Sequence, residues 1–332
     1  MRITQVSEST FTVKGHGVHT AFTELTNALT SEPGVQVRVN RFGGADITHI
    51  HTVGLLSLAF LLFGSGKKVV SAHVVPESLR GSLIGADIWL PLARHYLRWF
   101  YNRADIVFAV SDATKRELYD MGVKAPVEVV YNIVNTANYH TTPADKQRAR
   151  KKLGLSEKDW VVVGSGQLQP RKRVDSFIQT AARCPDMQFI WVGGMPFGKL
   201  AADNGAMQHM VRTAPNNVTV TGVLEHHKVR AYYQAADVFW LPSSQETFGL
   251  VVVEAAAAGL PIVLRDIPDY KETFAGFAVM STEDNFAELL RRLHHDTVFY
   301  ERYAKKAQRI VERFGAAQGV AHVLEVYRRL GA

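Results

Sequence analysis

Short apolar, β-rich runs alternate with helical stretches along the chain, and that rhythm narrows the folds open to it more than any other feature. "DWVVVGSG", "MQFIWVGG", "NVTVTG", "DVFWLPS" and "PIVLRD" read as buried strands, and "VDSFIQTAARC", "HHKVRAYYQAA" and "LVVVEAAAAG" as helices between them. The first half repeats the pattern. "MRITQVS", "VQVRVNRF", "ADITHIHT", "KKVVSAHVV", "ADIVFAVS" and "VEVVYNIV" are its strands. "GVHTAFTELTNALTS" and "DATKRELYDMG" are helices, the second capped by Ser111 or Asp112. This order predicts an α/β fold of mostly parallel sheets with helices on both faces. A chain of 332 residues exceeds what one core serves, so two Rossmann-like, doubly wound domains facing each other across a cleft are expected. The polar, basic stretch 137–152 marks the boundary, giving domains over 1–140 and 141–315. A helix over 316–332 is expected to pack back on the first domain.

Composition excludes several classes. Hydrophobic residues make up 47%, which rules out a mainly disordered chain. A single cysteine, Cys184, cannot form an internal disulfide and fits a reduced, intracellular setting. "MRITQVSEST" has no apolar signal core. The apolar run within 51–68 is too short to span a bilayer and reads as a core helix. The net charge of +7 suits phosphorylated substrates or an anionic membrane. No nucleic-acid-binding signature accompanies it, so no nucleic acid partner is expected.

The chemistry concentrates in two stretches of the second half. "SSQETFGLVVVEAAAAGLP", residues 243–261, sets Glu246 and Glu254 around an apolar run. Strand, loop, Gly249 and helix follow in that order. Backbone N–H groups near Phe248, Gly249 and Leu250 would then meet a phosphate at a helix N-terminus. Two carboxylates flanking a diphosphate could accept hydroxyls from the sugars at its ends. The plain alternative is a first-turn charge and an ion-paired helix residue. In "VVVGSGQLQPRKRVDSFIQTA", residues 161–181, Gly166 closes a glycine turn ahead of Arg171, Lys172 and Arg173. This is neither a P-loop nor a full dinucleotide fingerprint. Three cations there suit a diphosphate, with a solvated basic loop as the alternative.

Together these stretches resemble the retaining glycosyltransferases of family four, which use nucleotide sugars and have the GT-B fold. The resemblance rests on Gly166-Gln167-Leu168-Gln169-Pro170-Arg171-Lys172-Arg173, on Val192-Gly193-Gly194, on the strand from Ala236 to Ser243, and on the paired glutamates. It covers most of 160–275 and, more weakly, the first half. It implies that Lys172 binds phosphate, that Glu254 binds the donor ribose, and that Glu246 holds the transferred hexose. Val223 and Leu224 fall where the base rests. Gly15 and Gly17 fall in a loop near the donor phosphates, and His73 near the hexose. Gln167 stands where the family has Arg and Arg173 where it has Gly, so Arg171 or Arg173 is expected to supply that charge. No Asp-x-Asp is present, and no metal or other cofactor is expected. His49 and His51 alternate on a strand, either one able to face the cleft. The pairs His226-His227 and His294-His295 read as surface.

The acceptor reading comes from residues 82–103. Arg94, Arg98 and Arg103 mix there with Trp89 and Trp99, and no acidic residue follows Ile88. Such a segment suits a membrane interface with anionic lipid, or else a core helix with a basic edge. "SAHVVPESLRGSLIGA" and the short chain resemble bacterial glycolipid synthases that extend a monoglycosyl-diacylglycerol. That resemblance implies a UDP-glucose or UDP-galactose donor, a lipid-linked sugar acceptor, and a cytoplasmic enzyme peripheral on the inner face of the membrane. The rival readings are a soluble or polymer saccharide acceptor, a sugar-nucleotide epimerase, and a non-catalytic nucleotide-sugar-binding module.

Overall fold

The structure is a computed structural model that describes residues 1–11, 17–76, 86–195 and 204–331. The chain divides into two compact units. One ends its first pass at Val134 and takes back the C-terminal segment from Phe314; the other runs Asn135–Arg313. The boundary thus falls ahead of the basic stretch, which instead folds as the helix Pro143–Leu153 with a Thr142 capping box.

In the first unit six strands form one sheet: β1 Arg2–Val6, β2 Gln36–Val39, β3 Ile47–Ile50, β4 Lys67–Ala72, β5 Ile106–Ala109 and β6 Val127–Val129. Their order is β2-β1-β3-β4-β5-β6, with every pair parallel. Period-two alternation sends adjacent residues to opposite faces. Val70 and Val107 pack with Phe60, Leu97 and Phe100 on one side, while Val69 and Phe108 pack with Leu25 and Leu29 on the other. Helix Leu55–Phe63 is only partly core: Leu55 and Phe63 are exposed. Ser111, not Asp112, caps the helix Asp112–Asp120 by accepting from the Thr114 amide.

The C-terminal helix Ala316–Arg329 belongs to this unit and brings Val320, Val323, Leu324 and Tyr327 into its second core. Gly319 permits the close approach, because a Cβ there would lie 1.9 Å from a methyl of Ile133. Glu128 pairs with His322 at 2.7 Å and also binds Arg329. Tyr327 reaches His49 at 2.6 Å.

The second unit holds β7 Trp160–Ser165, β8 Met187–Val192, β9 Val218–Val220, β10 Val238–Leu241, β11 Ile262–Arg265 and β12 Val279–Ser281. The order β12-β11-β10-β7-β8-β9 is parallel throughout. The chain leaves β7 toward β8 on one side and returns to β10 on the other. That reversal is the topological switch point, beyond whose carboxyl ends such sheets bind ligands. An aromatic cluster of Phe177, Phe189, Trp191, Trp240 and Phe286 fills one face beneath it.

Candidate active site

The loops that leave β7 and β10 carry the two stretches singled out in the sequence, and they meet at this switch point. Gly166 follows β7 with φ 149, and a Cβ on it would sit 3.3 Å from the Lys172 side chain. A Cβ on Gly193 would lie 2.0 Å from the Gly166 carbonyl oxygen, so both glycines are required for these turns to touch. The short 3-10 turn Pro170–Lys172 then directs Lys172 inward.

Lys172 and Glu246 form a buried ion pair, 8% and 6% exposed. Arg171 stands 3.6 Å from the same carboxylate. Ser243 donates to Glu246 at 3.2 Å, and the Glu246 amide donates to Asp269 at 3.1 Å. Burial raises the Glu246 pKa, but Lys172 and Arg171 outweigh it and hold the carboxyl below its ordinary value. Burial also pulls the Lys172 ammonium below the usual lysine value, with Glu246 opposing. The Ser244 amide donates to the Arg171 carbonyl at 2.8 Å, which ties the two loops together.

Gly249 adopts φ 84 and opens the helix Leu250–Ala257, with Phe248 and Leu250 buried on either side of it. Glu254 lies on that helix and is 3% exposed. It accepts from Tyr233 at 3.1 Å and contacts His226 Nε2 at 3.2 Å, and Tyr139 reaches the same His226 nitrogen at 3.0 Å. A carboxylate has about four acceptor positions, so these contacts leave it able to take further hydroxyls. Val223 is 51% exposed, and its backbone amide lies beside Gly194.

These contacts correct one expectation and add to another. Arg173 does not join Arg171 and Lys172 at Glu246. Its backbone is left-handed, φ 50, and its guanidinium binds Asp175 at 2.8 Å and Glu283 at 2.7 Å. His226 is exposed, as its polar segment predicts, but its ring also braces Glu254, which that of the exposed His227 does not. Asp269, Tyr139 and Tyr233 had no sequence signal of their own, and Ser243 was marked only as the end of a family-like strand: their roles depend on what folds against them.

In the first unit His73 follows β4, half-buried, with its Nε2 3.3 Å from His51 Nδ1. His49 and His51 are both buried in hydrogen bonds, to Tyr327 and Ser71 and to Gln5. Gly17 begins the helix Gly17–Thr30, and Gly15 lies outside the described residues. On the helix Ala86–Tyr101, Trp89 is half-buried and Trp99 is 40% exposed with Arg103 stacked 4.3 Å above its ring. Arg98 and Arg103 line one surface depression with His95, Trp99 and Asn102, while Arg94 donates to the Asp120 carbonyl at 2.6 Å. Among the described residues, Asp186, His294 and His295 form a group with metal-ligand spacing, and His294 stacks on Trp160 at 5.0 Å.

Known proteins share this frame. The chain matches the family described as Glycosyltransferase Family 4 over residues 12–138 and that described as Glycosyl transferases group 1 over 145–310. It is 30% identical over 340 residues to the alpha-galactosylglucosyldiacylglycerol synthase of Streptococcus pneumoniae, covering 100% of this chain and 90% of the relative. It is 26% identical to the processive diacylglycerol alpha-glucosyltransferase of Acholeplasma laidlawii, covering 99% and 100%. Anabaena HepE in complex with UDP-glucose has the same fold, with TM-score 0.80, 20% identity and 99% and 100% of the two chains covered. Sucrose-phosphate synthase from Thermosynechococcus elongatus does too, with TM-score 0.83, 17% identity and 99% of each chain covered. Two parallel six-stranded units, the loop pair at the β7/β10 switch point and these matches together make the chain a GT-B glycosyltransferase belonging to the glycosyl transferases group 1.

Proposed function

We propose that this enzyme moves a hexose from UDP-glucose or UDP-galactose to a sugar hydroxyl of a membrane glycolipid such as monoglucosyl-diacylglycerol, with retention at the anomeric carbon. The observation that carries the reading is the buried Lys172–Glu246 pair with Arg171 beside it, at the carboxyl ends of β7 and β10. Two cations and the N-terminus of the helix after Gly249 can stabilise the negative charge that a diphosphate gains as it leaves. Glu254 takes the ribose hydroxyls and Glu246 the hexose. The bond from the anomeric carbon to the diphosphate oxygen breaks, and the acceptor oxygen bonds to that carbon from the same face. The acceptor's proton passes to the departing phosphate oxygen. No metal enters this scheme, because the cations do the neutralising.

The donor is inferred from the UDP-glucose bound by HepE, which shares the fold, and the acceptor from the diacylglycerol in the names of both sequence relatives. No described helix is long and apolar enough to cross a membrane. By likeness to the glycolipid synthases the enzyme is proposed to sit on the inner face as a peripheral protein, with the basic-aromatic edge of the helix Ala86–Tyr101 on anionic lipid.

A panel of UDP- and GDP-sugars against glycolipid, soluble saccharide and no acceptor, read by mass spectrometry and thin-layer separation, tests the proposal. An α-linked hexose on the glycolipid in the presence of EDTA is expected. Isomerised nucleotide sugar would identify an epimerase, a labelled soluble saccharide another acceptor, and UDP binding without turnover a binding module. Activity abolished by EDTA and restored by magnesium or manganese would contradict the metal-free scheme.

A further inference from the structure

The amino edge of the second sheet carries a side-chain cluster that the donor chemistry does not use. Asp186 directly precedes β8, whose Met187 is paired in register with Trp160 at the start of β7. The helix Phe286–His295 ends beside them: His294 stacks on Trp160 with ring centroids 5.0 Å apart, and His295 stacks on His294 at 4.5 Å. One ligand atom from each of Asp186, His294 and His295 lies within 4.8 Å of the other two. β7 has six residues, so at about 3.3 Å per residue roughly 17 Å separates this edge from the donor loops.

Several features suit a cation here. Metal bonds of about 2.0–2.2 Å to nitrogen and oxygen need donors no more than about 4 Å apart, which small side-chain rotations reach in this cluster. His294 Nδ1 is buried with no hydrogen-bond partner among the described residues, whereas buried polar atoms are ordinarily satisfied. Coordination through that nitrogen would supply the partner. Both histidines stand in the last turn of their helix, where unpaired carbonyls favour positive charge. The arginines nearby are committed elsewhere. Arg291 donates to the Arg183 carbonyl, Arg183 donates to the Asp284 carbonyl at 3.3 Å, and Arg292 pairs with Asp296 and lies over Phe299. Cys184 does not add a ligand, because its buried thiol faces the Ala287 carbonyl at 3.9 Å. Two imidazoles and a carboxylate suit zinc, nickel or copper, whereas magnesium and calcium take oxygen ligands.

We propose that Asp186, His294 and His295 bind a divalent transition-metal ion of the zinc class, with water completing its coordination. The ion ties the start of β8 to the end of the helix Phe286–His295, and its role is structural. It stands at the opposite edge of the sheet from Lys172 and Glu246, so the metal-free transfer scheme is unaffected.

Calorimetric titration of zinc into the tag-free full chain, stripped with EDTA and then freed of it, tests this. Saturable binding is expected, together with a raised unfolding temperature, because an ion that binds only the folded chain stabilises it. Magnesium should do neither. Asp186→Asn and His295→Gln alter exposed side chains and should each weaken zinc binding at least about tenfold, a loss that even an outer-shell partner can bring. His227→Gln, elsewhere on the surface, should not. Nickel serves as an optical probe: bound beside His294 it should quench Trp160, and that share of the quenching should vanish in Trp160→Phe. No saturable zinc binding by the wild type, or wild-type affinity in folded Asp186→Asn, would overturn the proposal. Magnesium bound as tightly as zinc would overturn the assignment of the ion. Transfer activity lost on stripping and restored only by zinc would overturn the structural role. Should the ligand variants not fold, nickel quenching of the wild type against Trp160→Phe decides, and equal quenching in the two would sink the site. The binding measurements use neither donor nor acceptor, so they stand or fall independently of the function proposed above.

Discussion

Lys172 and Glu246 stand 74 positions apart in the chain and form one buried ion pair, each on the loop that leaves one of two adjacent parallel strands. The pair explains how a glutamate can sit in an apolar segment. It also means that neither charge can be removed alone without cost.

Glu246→Gln should leave Lys172 buried without its counter-charge. Breaking a buried pair on one side costs about 3–5 kcal/mol, and a lower unfolding temperature is expected beside lost turnover. Adding Lys172→Met should restore much of the stability, since apolar replacement of a whole pair is often neutral. It should not restore UDP affinity. Thermal unfolding and calorimetry of the single and double variants check this. A double variant less stable than Glu246→Gln would show that the pair is not the coupled unit described here.

Arg171 and Arg173 are predicted to behave differently although they flank the same lysine. Arg171→Ala should weaken UDP binding about tenfold or more, as losing a hydrogen bond to a charged group costs about 1.5–3 kcal/mol. Arg173→Ala should leave UDP affinity within about twofold. Its partly exposed pairs with Asp175 and Glu283 are worth about 0–1 kcal/mol of stability. Equal losses of UDP affinity in the two variants would return Arg173 to the donor site.

Stability should fall as the pH drops from 7 to 5. Burial, with some help from His73, pushes the His49 pKa down to about 3, and His51 is also held well below its ordinary value. An unfolded histidine protonates near about 6.5. Below that pH the unfolded chain binds protons that the folded chain refuses. The folded state is then disfavoured by up to about 1.4 kcal/mol per pH unit for each histidine. The contribution is complete above pH 6.5 and is lost progressively toward pH 3. Urea unfolding at pH 7, 6 and 5 should show this slope, and His49→Gln should make it shallower. An unchanged slope in that variant would remove His49 from the account.

Vesicle binding tests the basic-aromatic helix. The enzyme should sediment with vesicles containing phosphatidylglycerol better than with neutral ones. Each cation near such a surface adds about 1 kcal/mol. Arg98→Glu with Arg103→Glu should weaken sedimentation and leave UDP affinity intact. High salt should do the same to the wild type, because surface attraction is screened within about 8–10 Å. Wild-type sedimentation by a folded double variant would rule this helix out as the membrane contact.

Much of this protein was legible in its sequence because the signals are local. Continuous apolar runs such as "WVVVGS" became buried strands, and the glycine-rich turns and paired glutamates already marked where the chemistry lies. Strand β12 and the helix Pro143–Leu153 were not legible. One is three residues long, and the other is so polar that it reads as a linker. The pairing of side chains was decided by tertiary structure alone. Lys172 finds Glu246 because the strand order makes β7 and β10 neighbours. Arg173 turns away because a left-handed backbone delivers its guanidinium to Asp175 and Glu283. His226 braces Glu254, and Tyr327 from the last helix reaches His49 near the start of the chain. Apart from Arg173–Asp175, such contacts span tens to hundreds of residues, and periodicity along the chain carries no record of them. The order of strands in the sheet and the return of the last helix bring them together.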